Sequence, residues 1–568
     1  MRIKDLYHYQ TDVLVIGGGG GGAMAAYEAS KNGSSVLMVL KGQPQHCGST
    51  IMAPGAIAGV GDWRLEGDSQ EAHFRDTIKG GAYLADQGLV RIMVEDAPEL
   101  IVELERVGAL WQRKENGRTY SMRAGGGHTI DRSVYLEDRT GREMLRALTG
   151  ELRRRRVRIL PDTMILKLLK NGDRVVGAAG VRLDGCEGVI LRAKEVILAC
   201  GGSGNLYANT DNPTDITGDG YALALDAGAA LMDMEFVQFF PLGFCFPHSL
   251  KGALAALPYY IRLYNNRQER FMEKHDPERL ELSTRDRVTR AIMKEINEGR
   301  GGPHGGVFAK MTHHEPGYIA RMQPALYETY RKIGVDPEKD PLEVAPTCHF
   351  FMGGGKVDAQ WQSTVPGLFL IGENAAGIHG ANRLSQNALA ELLVSGKRAG
   401  RQAAFLARAE RHGGIDPEKA QSALDPVKSL FERSVGVRPH DLRKRLRQLM
   451  WDKVGVYRNK SGLQEALREL ASLKEELKTQ CITLDSVRYN RELIEALENA
   501  FLIATGICVA VAALERCETR GAHFREDHPK PDNRMWLRHL VIKRTSVGLD
   551  IQKRAVDLTE MHPEVIDG

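Results

Sequence analysis

Three absences narrow what this chain can be. Its eight cysteines, Cys47, Cys186, Cys200, Cys245, Cys348, Cys481, Cys508 and Cys517, include no C-x-x-C pair. Zinc knuckles and iron–sulfur clusters are built on such close spacing, so neither is expected within this chain. A disulfide framework is equally unexpected, and the scatter fits a reducing cytoplasm. Charge of one sign is also missing: 77 Lys and Arg face 73 Asp and Glu, a formal net charge of +4. That balance carries no footprint for nucleic acid or an anionic membrane. The one basic cluster, Arg153 to Arg156, follows a helical stretch and precedes a strand-like "VRIL", and it reads as a solvated face. Finally, no uninterrupted apolar run reaches membrane-spanning length. The longest, Asn499 to Cys517, is flanked by charged helical sequence and reads as a buried bundle helix. The opening "MRIKDLYHYQ" is polar and lacks an apolar signal core, so membrane attachment is expected only through a partner.

What is present is 568 residues of ordinary globular composition, 42% hydrophobic and 26% charged. That length implies several domains and a core large enough for a big cofactor. Residues 11–16, "TDVLVI", form an apolar, β-branched run, followed by Gly17 to Gly22 and the alanine-rich "AMAAYEASKNG". "SSVLMVL" at 34–40 is a second buried strand. Strand, glycine loop, helix and strand in this order open a doubly wound α/β sheet. "RVVGAAGVRL" and "GVILRAKEVILACGG" read as hairpin strands, and "GLFLIGENAAG" (367–377) as a later buried strand. From about 246 to 344, charged helical pieces alternate with Pro and Gly breaks, as in an inserted domain. From about 420 to 515 the pattern is that of a small helical bundle. The segment from Arg520 is charged and aromatic.

Gly17, Gly19 and Gly22 satisfy G-x-G-x-x-G between a strand and a helix. The first permits the turn, the second admits a pyrophosphate against the backbone, and the third lets helix and strand pack closely. The helix N-terminus then offers free N–H groups to phosphate. An NAD site usually ends its second strand with an acid that holds the ribose. Here that end reads Leu40-Lys41-Gly42, which argues for a different dinucleotide.

"TGDGYALALDAGAALMDMEFVQF", "APTCHFFMGG", "GLFLIGENAAGIHGANRLSQNALAELLVSGKRAG" and "RGAHFREDHP…WLRHL" resemble the flavoprotein subunit of succinate dehydrogenase and fumarate reductase. L-aspartate oxidase and adenylylsulfate reductase share that superfamily, and the resemblance runs in order from about residue 10 to 540. It implies a Rossmann-type FAD-binding domain in two parts (1–245 and 345–415), an inserted α+β capping domain (246–344), a helical domain (416–519) and a C-terminal tail segment (520–568). Asp219 then contacts the adenosine half of FAD, and Glu373 binds the ribityl chain. Ala388 and Leu389 mark a helix start beneath the flavin pyrimidine, where a helix N-terminus stabilises negative charge. Lys41, Ser49 and Thr50 join the cofactor set. Succinate dehydrogenases bond flavin covalently through the histidine of "SHT", but this chain reads Gly48-Ser49-Thr50, like the "GST" of L-aspartate oxidase. Ser49 cannot make that bond and His46 lies three residues earlier, so non-covalent FAD is expected.

The resemblance also implies hydride transfer between flavin N5 and a C–C bond beside a carboxyl or acyl group. Arg285 in "STRDRV" matches a proton-relay arginine, supported by a neighbouring carboxylate. His349 in "PTCH" and Arg383 in "GANRL" match a carboxylate clamp, for which the planar guanidinium is suited. Two features depart from the family. Phe240 replaces the histidine of "QFHPTG" that binds a second carboxylate, and "KGALAALPYYIRLYNN" stands where the family writes "TEG.RGEGG". Burying a carboxylate against such residues costs several kcal/mol, so one end of the site is expected to be cationic and the other apolar. His248, Tyr259 and Tyr260 are read as packing or loop residues. Two alternatives remain: an FAD-bearing electron-transfer subunit of a larger redox complex, and an adenylylsulfate reductase-like enzyme. L-aspartate oxidase fits less well, because it should keep the missing groups. With no cluster expected in this chain, an iron–sulfur subunit is the expected electron partner.

Overall fold

The computed structural model describes residues 6–563; residues 1–5, which begin the polar opening segment, and 564–568 lie outside the described residues. Leu6–Ile16 is the central strand of a seven-stranded sheet and extends the "TDVLVI" run toward the N-terminus. It pairs in parallel with Val36–Val39 on one side and Gly188–Leu198 on the other. Arg158–Leu160 adds a parallel strand beyond Val36–Val39. Along its far edge, Gly188–Leu198 meets Arg174–Arg182 antiparallel over residues 188–192 and Leu368–Leu370 in parallel over 196–198. Thr163–Asn171 closes that side. The central strands are fully buried, as the apolar runs require: Val13, Leu14, Val15, Val196, Ile197 and Leu198 have no exposed surface.

Helix Gly20–Lys31 packs along the long helix Asn387–Ala409, and glycines set how closely. A Cβ on Gly396 would lie 2.6 Å from the Gly21 carbonyl oxygen, and one on Gly400 only 2.3 Å from that of Ala25. This contact draws the start of the long helix towards the glycine loop.

The capping region is a four-stranded antiparallel sheet in the order Val237–Phe244, Leu342–Phe351, Val307–Lys310, Arg262–Tyr264. Helices Arg285–Asn297 and Pro324–Lys332 pack with it around an apolar core of its own, including Phe244, Leu263, Ile292, Val307, Tyr330 and Val344. Helices Pro439–Val454, Lys460–Glu476 and Arg491–Glu515 form the bundle. The last is long and apolar enough to cross a membrane, yet 72% of its most apolar window is buried inside the protein. The apolar run at Asn499 to Cys517 is thus a bundle helix, and Arg153 to Arg156 are exposed.

One element departs from the sequence reading. The segment after Arg520 is more than a charged tail: Arg538–Thr545 and Gly548–Ala555 form a hairpin that joins Leu231–Met232 and Gly354–Gly355 in a sheet. Leu540, Val541 and Ile542 are buried there, while most of the outer strand is polar, which hides the alternation.

The basic residues around this segment are anchors. Arg525 Nη1 donates to the carbonyls of Ala513, Leu514 and Arg516, which terminate the last bundle helix. Arg516, with no exposed surface, pairs with Glu235 and Glu518 and donates to the Trp536 and Arg538 carbonyls. Breaking a buried pair strands the remaining charge, at a cost of roughly 3–5 kcal/mol. Arg516→Met is therefore expected to destabilise by about that amount. A urea or thermal midpoint indistinguishable from the parent would show that the cluster does not tie the C-terminal segment down.

Candidate active site

A single cavity of about 880 Å³ runs from the glycine loop to the capping sheet. At one end, Gly17 has φ +111° and a Cβ there would fall 2.2 Å from the Ala199 carbonyl oxygen. A Cβ on Gly22 would meet the Gly17 carbonyl oxygen at 2.2 Å, so the third motif glycine is set by packing. Around Gly19 the space is open, with Thr50 Oγ1 the nearest atom at 3.4 Å. Helix Gly20–Lys31 starts without a side-chain cap; Thr50 Oγ1 accepts only the Gly20 N–H, at 3.1 Å. Ser49 Oγ is buried beside it without a partner.

Lys41, where an NAD site would carry its acid, is held by Asp219 and Glu498, both at 2.9 Å, and donates to Thr217 Oγ1. Burial works against its charge, but the two carboxylates more than offset that and raise the ammonium above its ordinary value. Glu373 is pushed up to about 8 by burial, although the Phe351 N–H donates to it and Arg383 lies near. Helix Asn387–Ala409 begins with no side-chain cap, so Ala388 and Leu389 present its first turn to the cavity. Backbone donors, an unpartnered hydroxyl and an elongated cavity fit an extended dinucleotide.

At the other end, strand alternation places Gln238 and Phe240 of Val237–Phe244 on one face. Gln238 Oε1 accepts from Arg285 Nη1 at 2.9 Å and from Arg383 Nη2 at 3.1 Å. Its Nε2 donates to Asn382 Oδ1 and the Arg383 carbonyl, which fixes the oxygen towards the two guanidinium groups. Arg285 opens helix Arg285–Asn297 in the cap; Arg383 lies on the connection before the long helix. Among the described residues neither arginine has a carboxylate within ion-pair distance, and Arg383 Nε is buried without a partner. Burial pushes Arg285 down to about 10, against the pull of Tyr259 and Asp211. Arg383 is driven well below its ordinary value by burial and then by Arg285.

His349 sits on the paired strand, its Nδ1 2.7 Å from Asp211 Oδ2. Burial lowers it, and Asp211 only partly offsets that. The Phe240 ring is 5.3 Å from the His349 ring and 5.1 Å from the Arg285 guanidinium carbon. Beyond Phe240 the wall is apolar: Phe244, Ala253, Leu254 and Leu257 line it. All the predicted site residues except Gly22 thus line one cavity, but the carboxylate neighbour expected for Arg285 is replaced by Gln238 and Phe240. Tyr260 is buried in the cap and His248 is exposed and off the cavity, as packing and loop residues should be; Tyr259 instead lines the cavity. His46 is exposed and does not line it.

Three residues escape the sequence reading, Gln238, Asp211 and Gln386, and a fourth, Tyr259, is read there as packing or loop. Gln238 is signalled by its alternation with Phe240. Nothing in the sequence marks Gln386, which holds a left-handed backbone at a helix start, φ +74°. Nothing local marks Asp211, which is 138 residues from His349.

Comparison with known proteins agrees with this geometry. The FAD binding domain family matches residues 12–389, and the fumarate reductase flavoprotein C-terminal family matches 443–566. The chain is 39% identical to a subunit of the fumarate reductase (CoM/CoB) of Methanothermobacter marburgensis, over 94% of its own length and 97% of that protein's. It is 34% identical to the fumarate reductase flavoprotein subunit of Mycobacterium tuberculosis, over 95% and 96% of the two chains. The solved quinol fumarate reductase of E. coli superposes with a TM-score of 0.93 at 31% identity, covering 98% of each chain. Adenylylsulfate reductase of Archaeoglobus fulgidus shares the fold at 22% identity, with a TM-score of 0.79 over 98% of each chain. The chain belongs to the fumarate reductase and succinate dehydrogenase flavoprotein family, and it is an FAD-dependent oxidoreductase whose flavin is held without a covalent bond.

Proposed function

We propose that this enzyme reduces or forms a C=C bond next to a carboxylate in a substrate whose other end is apolar. The observation that carries this reading is the pair of buried guanidinium groups on one neutral oxygen, Gln238 Oε1, with a wall of Phe240, Phe244, Ala253, Leu254 and Leu257 beyond them. Two desolvated cations without a carboxylate call for an anionic ligand. A single carboxylate against Arg383, Arg285 and His349 supplies it. Polarising that carboxylate stabilises enolate-like charge in the transition state. The apolar wall offers nothing to a second carboxylate, so 2-enoates with an alkyl or aryl β-substituent fit better than fumarate.

Bound flavin supplies hydride chemistry. Gly17, Gly19 and Thr50 would hold its pyrophosphate, with Gly22 packing helix on strand behind them, Lys41 and Asp219 towards the adenosine side and Ser49 towards the flavin ring. Glu373 would take the ribityl chain, and Ala388 and Leu389 would face the pyrimidine. The cavity's built catalytic end favours an enzyme over a bare electron relay. An iron–sulfur subunit is the natural class of electron partner for such a flavin, as in the relatives' multi-subunit enzymes. The relatives' complexes suggest a cytoplasmic, membrane-peripheral placement through such partners.

Acid precipitation should leave the flavin in the supernatant; flavin retained on the polypeptide contradicts the serine at position 49. With a reduced viologen dye as donor, crotonate and cinnamate should outrun fumarate in kcat/KM. A buried, unpaired charge costs roughly 2–5 kcal/mol, so Phe240→His should raise fumarate turnover by about a hundredfold and lower that of cinnamate. Ordinary fumarate turnover, indifferent to Phe240→His, refutes the apolar-end reading. Arg383→Lys loses the forked contact and should lower kcat/KM on the preferred acid by about a hundredfold; a change under threefold would remove Arg383 from the clamp.

A further inference from the structure

We propose that Asp211 is a positioning residue for the substrate carboxylate, acting through His349. It holds the imidazole by Nδ1, so that the ring takes up a proton as the anion binds and donates to it from Nε2. This role rests on the reading that the capping-sheet end of the cavity takes a carboxylate. His349 Nδ1 lies 2.7 Å from Asp211 Oδ2, and both side chains line the cavity. A carboxylate accepts and does not donate, so Nδ1 carries the proton of the neutral ring. Nε2 then holds a lone pair, which repels a carboxylate. Among the described residues Nε2 makes no hydrogen bond to protein, so it is the nitrogen left for a ligand. To clamp a carboxylate there, the ring must carry a second proton.

The place of Asp211 is fixed by the chain around it. The segment Asn209 to Asn212 is laced to the strand Leu342–Phe351, which carries His349. The Cys348 N–H donates to the Asn209 carbonyl at 2.9 Å, and the Asp211 N–H donates to the Cys348 carbonyl at 3.2 Å. Thr210 Oγ1 donates to the same Cys348 carbonyl, and Asn212 Nδ2 donates to that of His349, both at 3.0 Å. Asn212 Nδ2 also reaches Asp211 Oδ1 at 3.0 Å, so each carboxylate oxygen has a donor. The Asp211 side chain is 6% exposed, so water competes little for the place of the imidazole. Four groups face His349: Asp211 from this segment, Arg285 from the cap helix, Arg383 from the connection before the long helix, and the Phe240 ring, 5.3 Å away on the paired strand.

Before an anion enters, burial and the two guanidinium groups hold the imidazole below its ordinary value, and Asp211 offsets them only in part. A bound carboxylate cancels the guanidinium charge and leaves Asp211 unopposed, so the imidazole's pKa rises and the ring binds a proton. No covalent step is involved. One proton passes from solvent to Nε2 as the anion enters, and it returns when the anion leaves. The sign follows from that balance. Affinity is full below the pKa of the free imidazole, falls about tenfold per pH unit above it, and levels off above the pKa of the complex.

The test uses the FAD-loaded, oxidised protein, which binds crotonate, cinnamate or fumarate without reducing them. Titration calorimetry in two buffers of different ionisation enthalpy counts the protons taken up, and flavin absorbance gives Kd against pH. The parent should take up about one proton per carboxylate near pH 7, with Kd rising about tenfold from pH 6.5 to 7.5. Asp211→Asn keeps the shape and removes the charge. It should keep FAD, bind the acid about 10–100-fold more weakly at pH 6.5, and lose both the proton uptake and the pH slope. Asp211→Glu should regain the uptake, and His349→Gln should bind without any. Uptake and slope unchanged in Asp211→Asn overturn the role and leave the proposed function standing. A parent that binds without uptake, or uptake that survives His349→Gln, also overturns it. A parent that binds fumarate most tightly, with uptake lost in Asp211→Asn, overturns the apolar-end reading and supports the role. A parent that binds none of the three acids removes the carboxylate reading and the role together. Should Asp211→Asn lose FAD or bind too weakly to titrate, Asp211→Glu decides: binding without proton uptake overturns the role, and uptake restored supports it.

Discussion

Two buried cations on one neutral oxygen are the constraint around which the catalytic end is organised. Arg285 and Arg383 both donate to Gln238 Oε1, and among the described residues neither has a carboxylate of its own within reach. Mutual repulsion and desolvation would drive such a pair apart or towards neutrality. Three features hold it. Gln238 Nε2 is tied to Asn382 and to the Arg383 backbone, so its oxygen cannot turn away. The faces of Phe240 and Phe350 lie 5.1 and 4.5 Å from the two guanidinium carbons and offer their negative quadrupole. Asp211, one residue removed through His349, supplies a distant negative field. Arg285 comes from the cap and Arg383 from the connection before the long helix. An anionic substrate therefore neutralises a charge shared between two parts of the fold, and its binding energy is spent at the seam.

The other end of the cavity solves the opposite problem. There Lys41 is a buried cation with more than enough negative charge: Asp219 comes from the start of one helix and Glu498 from the bundle. The bundle therefore takes part in shaping the dinucleotide cradle. Arg443 pairs with the same Glu498 at 3.0 Å and donates to Asn499, which carries the network into the bundle core. A satisfied ion network makes a rigid rim, whereas an unsatisfied pair makes a site that waits for ligand. The molecule places the first at the glycine-loop end of the cavity and the second at the capping-sheet end.

What was legible in the sequence is what short-range physics writes there. Gly17 and Gly22 are required by contacts within one strand–loop–helix unit, so the motif alone locates them. The apolar run at 11–16 lies in one buried strand and that at 196–202 ends another at Leu198, while "NAFLIATGICVAVAALERC" falls largely in the bundle helix that ends at Glu515. Phe240 is legible as a departure from a motif, and Arg285, His349 and Arg383 as members of one. The C-terminal hairpin was missed because its pattern is half erased: one strand buries Leu540, Val541 and Ile542 while the other is largely solvent-facing. Gln238 and Asp211 were missed for a different reason. Their roles come from partners 47 and 138 residues away: Arg285 and His349 respectively. No local pattern records such a meeting.

The replaced stretch after Phe240 links specificity to proton supply. Ala253, Leu254 and Leu257 remove the groups that would hold a second carboxylate, and at the same stroke they dry the surroundings of Arg285. Drying disfavours the charged form of an arginine, and Arg285 accordingly sits near 10. A guanidinium at that value is a stronger acid than one in water by roughly a few hundredfold, or about 3 kcal/mol. The wall that rejects a dicarboxylate thus makes the proton donor more willing to give. It also leaves no carboxylate among the described residues within ion-pair distance of that donor, whose nearest polar partner is Gln238 Oε1 at 2.9 Å. Substrate class and proton route are in this sense one design: restoring a polar far end without also restoring a carboxylate relay would leave Arg285 less acidic and no better supplied.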